Sequence, residues 1–173
     1  SHRFAGFILA DKKHRIVAAN SAELVGQTIP EYEGFLAKAL DGQTTVSPPF
    51  ASVVMMKDER GRLATGLPTM FVCAPVRDDA FQVIGALGLR ILPERDFTRI
   101  LQLGRPGDSG ETFAFDKAGR MVSNSRYDEE LILLGILPDT ENARSILNVS
   151  LRDPGGDLRQ GHRPKVRRAE LPL

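Results

Sequence analysis

The sequence is poor in the residues that build catalytic and metal centres. Its one cysteine, Cys73, excludes an intramolecular disulfide and a four-thiolate zinc site. Cys73 lies in the apolar run Met70-Phe71-Val72-Cys73-Ala74, the setting of a buried, inert thiol rather than of a nucleophile. The three histidines, His2, His14 and His162, show neither metal-pair spacing nor a neighbouring nucleophile. Tryptophan is absent. An excess of one charge is absent too: 23 basic and 22 acidic residues leave a net charge of +1, which offers no field to nucleic acid or an anionic membrane. The basic cluster Arg163, Lys165, Arg167 and Arg168 lacks the interleaved aromatics of a strand-binding surface. No apolar stretch reaches the roughly 18 residues of a transmembrane helix, and no signal peptide opens the chain. The polypeptide as given is therefore expected to be soluble, with no catalytic residue, metal or cofactor of its own.

What is present is an ordinary globular composition, 42% hydrophobic and 26% charged, able to bury a core. Residues 9–20 can be laid over residues 114–125: Leu9-Ala10-Asp11-Lys12-Lys13-His14-Arg15 matches Ala114-Phe115-Asp116-Lys117-Ala118-Gly119-Arg120. Each reads as an apolar strand, a polar turn opened by Asp-Lys, then Arg and a second strand. Each also opens a stretch long enough for a compact module, so a duplication is expected.

Helical spacing of Tyr32, Phe35, Leu36, Ala39 and Leu40 predicts a helix over 32–40, stopped at Asp41-Gly42. A short strand is expected over 44–50, then a charged turn over 57–62. Two long strands, 69–76 and 81–92, form a hairpin around Arg77-Asp78-Asp79. The prediction is an α+β fold whose first module, residues 4–92, holds a five-stranded antiparallel sheet of PAS-like type. Pro93-Glu94-Arg95-Asp96 opens a linking helix, followed by a glycine-rich loop over 104–110, so that 93–109 joins the modules. Residues 110–173 form a second, incomplete module, with a helix over 129–137, an extended run over 146–151 and no later pair of long strands.

Two stretches carry a family resemblance. Val83-Ile84-Gly85-Ala86-Leu87-Gly88-Leu89-Arg90-Ile91 is similar to the last strand of the membrane-distal module of double Cache domains. Gly110-Glu111-Thr112-Phe113-Ala114-Phe115-Asp116-Lys117-Ala118-Gly119-Arg120-Met121-Val122-Ser123-Asn124-Ser125-Arg126 looks like the glycine-led hairpin that opens their membrane-proximal module. With the order of elements, the chain resembles this family of extracytoplasmic (periplasmic or extracellular) sensors of bacterial chemoreceptors, histidine kinases, cyclases and Ser/Thr kinases. The resemblance implies a small-molecule ligand, a homodimer in the full receptor, and membrane attachment only through helices outside this sequence. The family's long first helix does not precede Phe4, and the proximal module stops short, so the natural protein is expected to extend at both ends.

The resemblance also places the ligand in the first module. Strand alternation puts Thr69, Phe71 and Cys73 on one face of their strand, and Phe50 and Ser52 stand near its start. Any of these could equally be plain core. Family members that bind amino acids box them with aromatics, tryptophan among them, and hold the ammonium with an aspartate on the last strand. This sequence has no tryptophan, and the aspartate position aligns with Arg90. A cation there points to a small organic anion. Two alternatives remain open: a ligand-free interaction or dimerisation module, and a cytoplasmic PAS domain carrying haem or flavin. The second lacks an interior histidine and a cysteine in a polar helix.

Overall fold

Period-two burial organises the first half of the chain. In the computed structural model, which describes residues 4–58, 60–104, 107 and 110–173, strand β1 (Gly6–Asp11) buries Ile8 and Ala10 and leaves Phe7 exposed. It pairs antiparallel with β2 (Ile16–Ala19). After two short 3-10 turns comes helix α1 (Glu33–Leu40), which buries Phe35, Leu36 and Ala39. The two-residue strands β3 (Thr45–Val46) and β4 (Phe50–Ala51) follow, separated by Ser47-Pro48-Pro49. A separate small hairpin, β5 (Met56–Lys57) and β6 (Leu63–Ala64), precedes the long strands β7 (Pro68–Arg77) and β8 (Val83–Ile91). The sheet runs β2-β1-β8-β7-β3, with β4 also on β7.

The fold is thus α+β with a five-strand antiparallel path, as read from the sequence, plus one further short strand. The single strand expected over 44–50 is two, because Pro48 and Pro49 have no N–H to continue the ladder. The charged turn expected over 57–62 is the tip of the β5–β6 hairpin. The core lies between one sheet face and α1, with Ile8, Ile16, Tyr32, Leu36, Phe71 and Cys73 at most 1% exposed. Gly88, in the middle of β8, lets Ile8 and Cys73 meet: a Cβ there would stand 2.9 Å from Ile8 Cγ1 and 3.1 Å from Cys73 Sγ.

One turn recurs four times. Asp11, Asp58, Asp78 and Asp116 each accept, through Oδ1, the backbone N–H groups two and four residues on, at 2.8–3.0 Å. The third residue after each Asp has positive φ: His14 60°, Gly61 79°, Phe81 61° and Gly119 73°. The likeness between residues 9–20 and 114–125 therefore marks this turn type, which the chain also uses where no duplication is read. Phe81 is 79% exposed and sits in a region that costs an L-residue about 1–2 kcal/mol. Phe81→Gly is expected to raise stability by roughly 0.5–1 kcal/mol, after the larger unfolded-state entropy of glycine, read as a higher urea midpoint.

Hydrogen bonds from the Arg62 backbone N–H, and likewise from Arg120, hold the carboxyls of Asp58 and Asp116 below the usual range. A depressed folded-state pKa contributes stability above the unfolded value of about 4, lost as pH falls through the folded one. The urea midpoint is expected to drop below about pH 4, less steeply in Asp58→Asn/Asp116→Asn, which keeps an acceptor but does not titrate.

The chain divides into two units, Ser1–Asp96 and Phe97–Leu173, the division falling inside the expected linking helix. That helix is a π-helical stretch, Pro93–Phe97, followed by α2 (Thr98–Gln102). The expected 104–110 loop lies partly outside the described residues, as do His2 and Glu59. In the second unit, bridges Phe115↔Met121 and Arg120↔Ser150 stand where full strands were expected. The extended run over 146–151 is broken by a turn at 146–148, where Leu147 has φ of 64°. Helix α3 (Asp128–Leu133) ends before the expected Leu137 because Gly135, at φ 68°, caps it. A small core forms around Met121, Leu137, Ala143 and Val149. Serine hydroxyls fasten it: Ser123 accepts from Ala114 N–H at 2.9 Å and Ser145 from Ser125 N–H at 2.6 Å.

Candidate functional site

The register across three strands creates the site. Gly6, Arg90 and Phe71 stand side by side on β1, β8 and β7, all on the core-facing side of the sheet. Opposite this face, residues 20–24 and the β5–β6 hairpin leave a cavity of about 420 Å³ within the first unit, in the size range of small-molecule pockets. Its apolar walls come from Ile8, Leu24, Met56, Leu63 and Phe71. Of the charged residues that line it, Arg90 is buried, only 5% exposed, while Glu23 and Lys57 are exposed.

Arg90 is incompletely satisfied. Its Nε donates to Thr69 Oγ1 at 2.9 Å and its Nη1 to the Lys57 carbonyl at 3.3 Å. Among the described residues its buried Nη2 has no partner. Burial pushes the Arg90 pKa down, and the Tyr32 phenol partly offsets this. No carboxylate contributes, so among the described residues this buried cation has no counter-ion. A guanidinium does not deprotonate in proteins, and a buried charge calls for an opposite one.

Tyr32 is the second incomplete group. It is fully buried, and among the described residues its hydroxyl also lacks a partner. Burial raises its pKa to about 12 against the nearby positive charge of Arg90, which lowers it. Its ring packs on Phe71 at 5.1 Å between centroids, in a cluster with Phe35 and Phe50. Sequence reading placed Tyr32 only on a helical face. The available signal was a tyrosine on the apolar stripe of that helix, whose hydroxyl has to be accommodated inside the core.

Of the six candidates named from sequence, Phe71 and Arg90 line the cavity and Thr69 orients Arg90 from behind. Phe50, Ser52 and Cys73 are not among its described lining residues. Phe50 stacks in the aromatic cluster. Ser52 Oγ accepts the Leu67 N–H at 3.0 Å and fastens the loop before β7. Cys73 is fully buried, and burial pushes its thiol up to about 12. Cys73 is therefore expected to resist a thiol-specific disulfide reagent at pH 8 in the folded protein, and to react fully in 6 M guanidinium. Among the described residues no group of three His, Cys, Asp or Glu could hold a metal, and no helix is long and apolar enough to cross a membrane.

The fold, rather than the site, is similar to that of solved structures. The ligand-binding domain of the Campylobacter jejuni chemoreceptor Tlp3, in complex with 4-methylisoleucine, aligns over 80% of this chain and 48% of its own, at 18% identity and TM-score 0.51. The fold is PAS-like. The ligand-binding domain of the Pseudomonas fluorescens chemoreceptor CtaA, in complex with L-leucine, aligns over 74% of this chain and 48% of its own, at 17% identity and TM-score 0.47. The LOV domain of the blue-light photoreceptor Aureochrome1 covers 57% of this chain at 16% identity and TM-score 0.38. The chain thus spans about half the length of the two chemoreceptor domains. No family model matches the sequence, and no curated protein matches it.

Proposed function

We propose that the chain is the extracytoplasmic sensing portion of a membrane-bound signalling receptor of double Cache type, which binds a small organic anion in the first unit and catalyses nothing. The observation that carries this reading is Arg90: a buried cation with an unpartnered Nη2 at the wall of a 420 Å³ cavity. The PAS-like fold, shared with a chemoreceptor ligand-binding domain, supports it, as do the two sequence stretches that resemble double Cache strands. Binding works by differential affinity for two receptor conformations, and the receptor acts as a homodimer.

The test is a thermal-shift screen of the purified chain against a carboxylate-weighted metabolite library. A true ligand stabilises the folded state by about 2.7 kcal/mol at a hundredfold excess over its Kd, and the shift disappears in Arg90→Met. Silence across the library from a folded sample favours the second reading, an interaction module. The observation on that side is the second unit's exposed Leu133 and Leu134, at 86% and 73%, of the kind that marks packing surfaces.

A further inference from the structure

The cavity wall carries a second polar anchor besides Arg90. We propose that Asn20 is a ligand-binding residue, its Nδ2 donating to an acceptor oxygen of an anion whose carboxylate sits at Arg90. This rests on the reading of the first unit as a small-molecule sensor and adds where the second polar group of its ligand lies.

Asn20 is held in the wall by β1. It follows β2 and lines the cavity. Its backbone N–H donates to the Phe7 carbonyl at 3.4 Å, and its Oδ1 accepts the Phe7 N–H at 2.9 Å. A backbone N–H only donates, so the amide atom facing it is the oxygen, and Nδ2 is left for another partner. Among the described residues Nδ2 has none. Gly6 makes the seat for this amide: a Cβ there would stand 2.6 Å from Asn20 Oδ1 and 3.2 Å from its Nδ2. A side chain at position 6 would therefore displace the amide. Gly6 is also the cross-strand partner of Arg90 on the core-facing side of the sheet. The fold thus seats Asn20 over the residue next to the buried cation.

The spacing of the two anchors bears on the ligand. Arg90 leans toward β7, where its Nε bonds Thr69, whereas Asn20 lies over β1, on the other side of β8. Two strand spacings are about 10 Å at the level of the sheet. A hydrogen bond of about 2.9 Å at each end leaves roughly 4 Å between the two ligand oxygens. An acceptor oxygen on the carbon next to the carboxylate falls short of that distance, and one several carbons along the chain reaches it.

Isothermal titration of the whole chain with sodium 5-oxohexanoate, 2-oxohexanoate and hexanoate tests this, because the three differ only in the ketone. The expected result is 5-oxohexanoate about fivefold tighter than hexanoate, with 2-oxohexanoate within about twofold of hexanoate. Asn20→Asp keeps an oxygen for the Phe7 N–H and removes the donor. Its added charge weakens all three anions, so the readout is the ratio of 5-oxohexanoate to hexanoate affinity, expected to fall to one or below. Gly6→Ala, which displaces the amide without a change of charge, is expected to lower the same ratio. A ratio near one in the parent, or one unchanged in either folded variant, overturns Asn20 as a binding residue and leaves the sensor reading standing. An equal gain for 2-oxohexanoate overturns the spacing of the anchors. If none of the three binds, the inference falls; the sensor reading falls with it only if the wider library is silent too.

Discussion

Arg90→Met is expected to weaken carboxylate binding by at least about a hundredfold, or about 2.7 kcal/mol, while the protein stays folded. Truncating one partner of a buried charged contact typically costs 2–5 kcal/mol, and here the side chain supplies both the charge and the free donor. The effect on stability is the sharper test. Methionine removes a buried cation without a counter-ion, which stabilises, but it orphans the buried Thr69 hydroxyl and frees the Lys57 carbonyl, which costs about 1–3 kcal/mol. Adding Thr69→Val removes the orphan hydroxyl. Arg90→Met/Thr69→Val is therefore expected to melt at or above the parent, as replacements of buried charges by apolar residues often do, yet to bind no carboxylate. A residue retained at a cost to stability and required for binding is a ligand residue. If the double variant is instead strongly destabilised, Arg90 serves the fold.

Phe71→Ala is expected to destabilise the first unit by about 4 kcal/mol, within the usual 3–5 for a buried phenylalanine. The ring is 1% exposed, stacks on Phe35 at 5.3 Å and packs at a tilt on Tyr32 at 5.1 Å between centroids, and such pairs add about 0.5–1.5 kcal/mol beyond burial. A domain's whole stability is about 5–15 kcal/mol, so this change consumes a large share of it. Phe71→Leu retains most of the buried volume and is expected to lose less than half as much. Urea unfolding followed by circular dichroism at 222 nm reads both. A loss near 1 kcal/mol for Phe71→Ala would mean that the cavity and core can collapse around the deletion.

Much of this fold is legible in the sequence because local patterns carry it. The hairpin of two long strands, expected over 69–76 and 81–92, is found at Pro68–Arg77 and Val83–Ile91, and the helix over 32–40 at Glu33–Leu40. What was not legible depends on pairing across distance. The β5–β6 hairpin has only two residues on each side, too few for alternation to register. The β7 face that meets the cavity could not be chosen because Thr69, Met70 and Phe71 are all buried, leaving no polar side to mark the outside. Arg90 could be aligned to a ligand position, but the burial of its guanidinium and the unpartnered Nη2 come from Thr69, Lys57 and Tyr32, which lie 21, 33 and 58 residues away. In the second unit, the extended run expected over 146–151 is broken by the turn at Leu147, and the helix expected to reach Leu137 is ended by Gly135, both at positive φ.

The most direct test of the central claim is the side-chain Nε–Hε NMR signal of Arg90, assigned by its loss in Arg90→Met and followed during titration with the carboxylate that gives the largest thermal shift, at constant pH and ionic strength. A saturable shift of that signal, with the same midpoint as isothermal titration calorimetry of that carboxylate, is the expected result. An Arg90 signal that stays fixed while the ligand saturates other resonances would contradict the claim that this buried cation receives the anion.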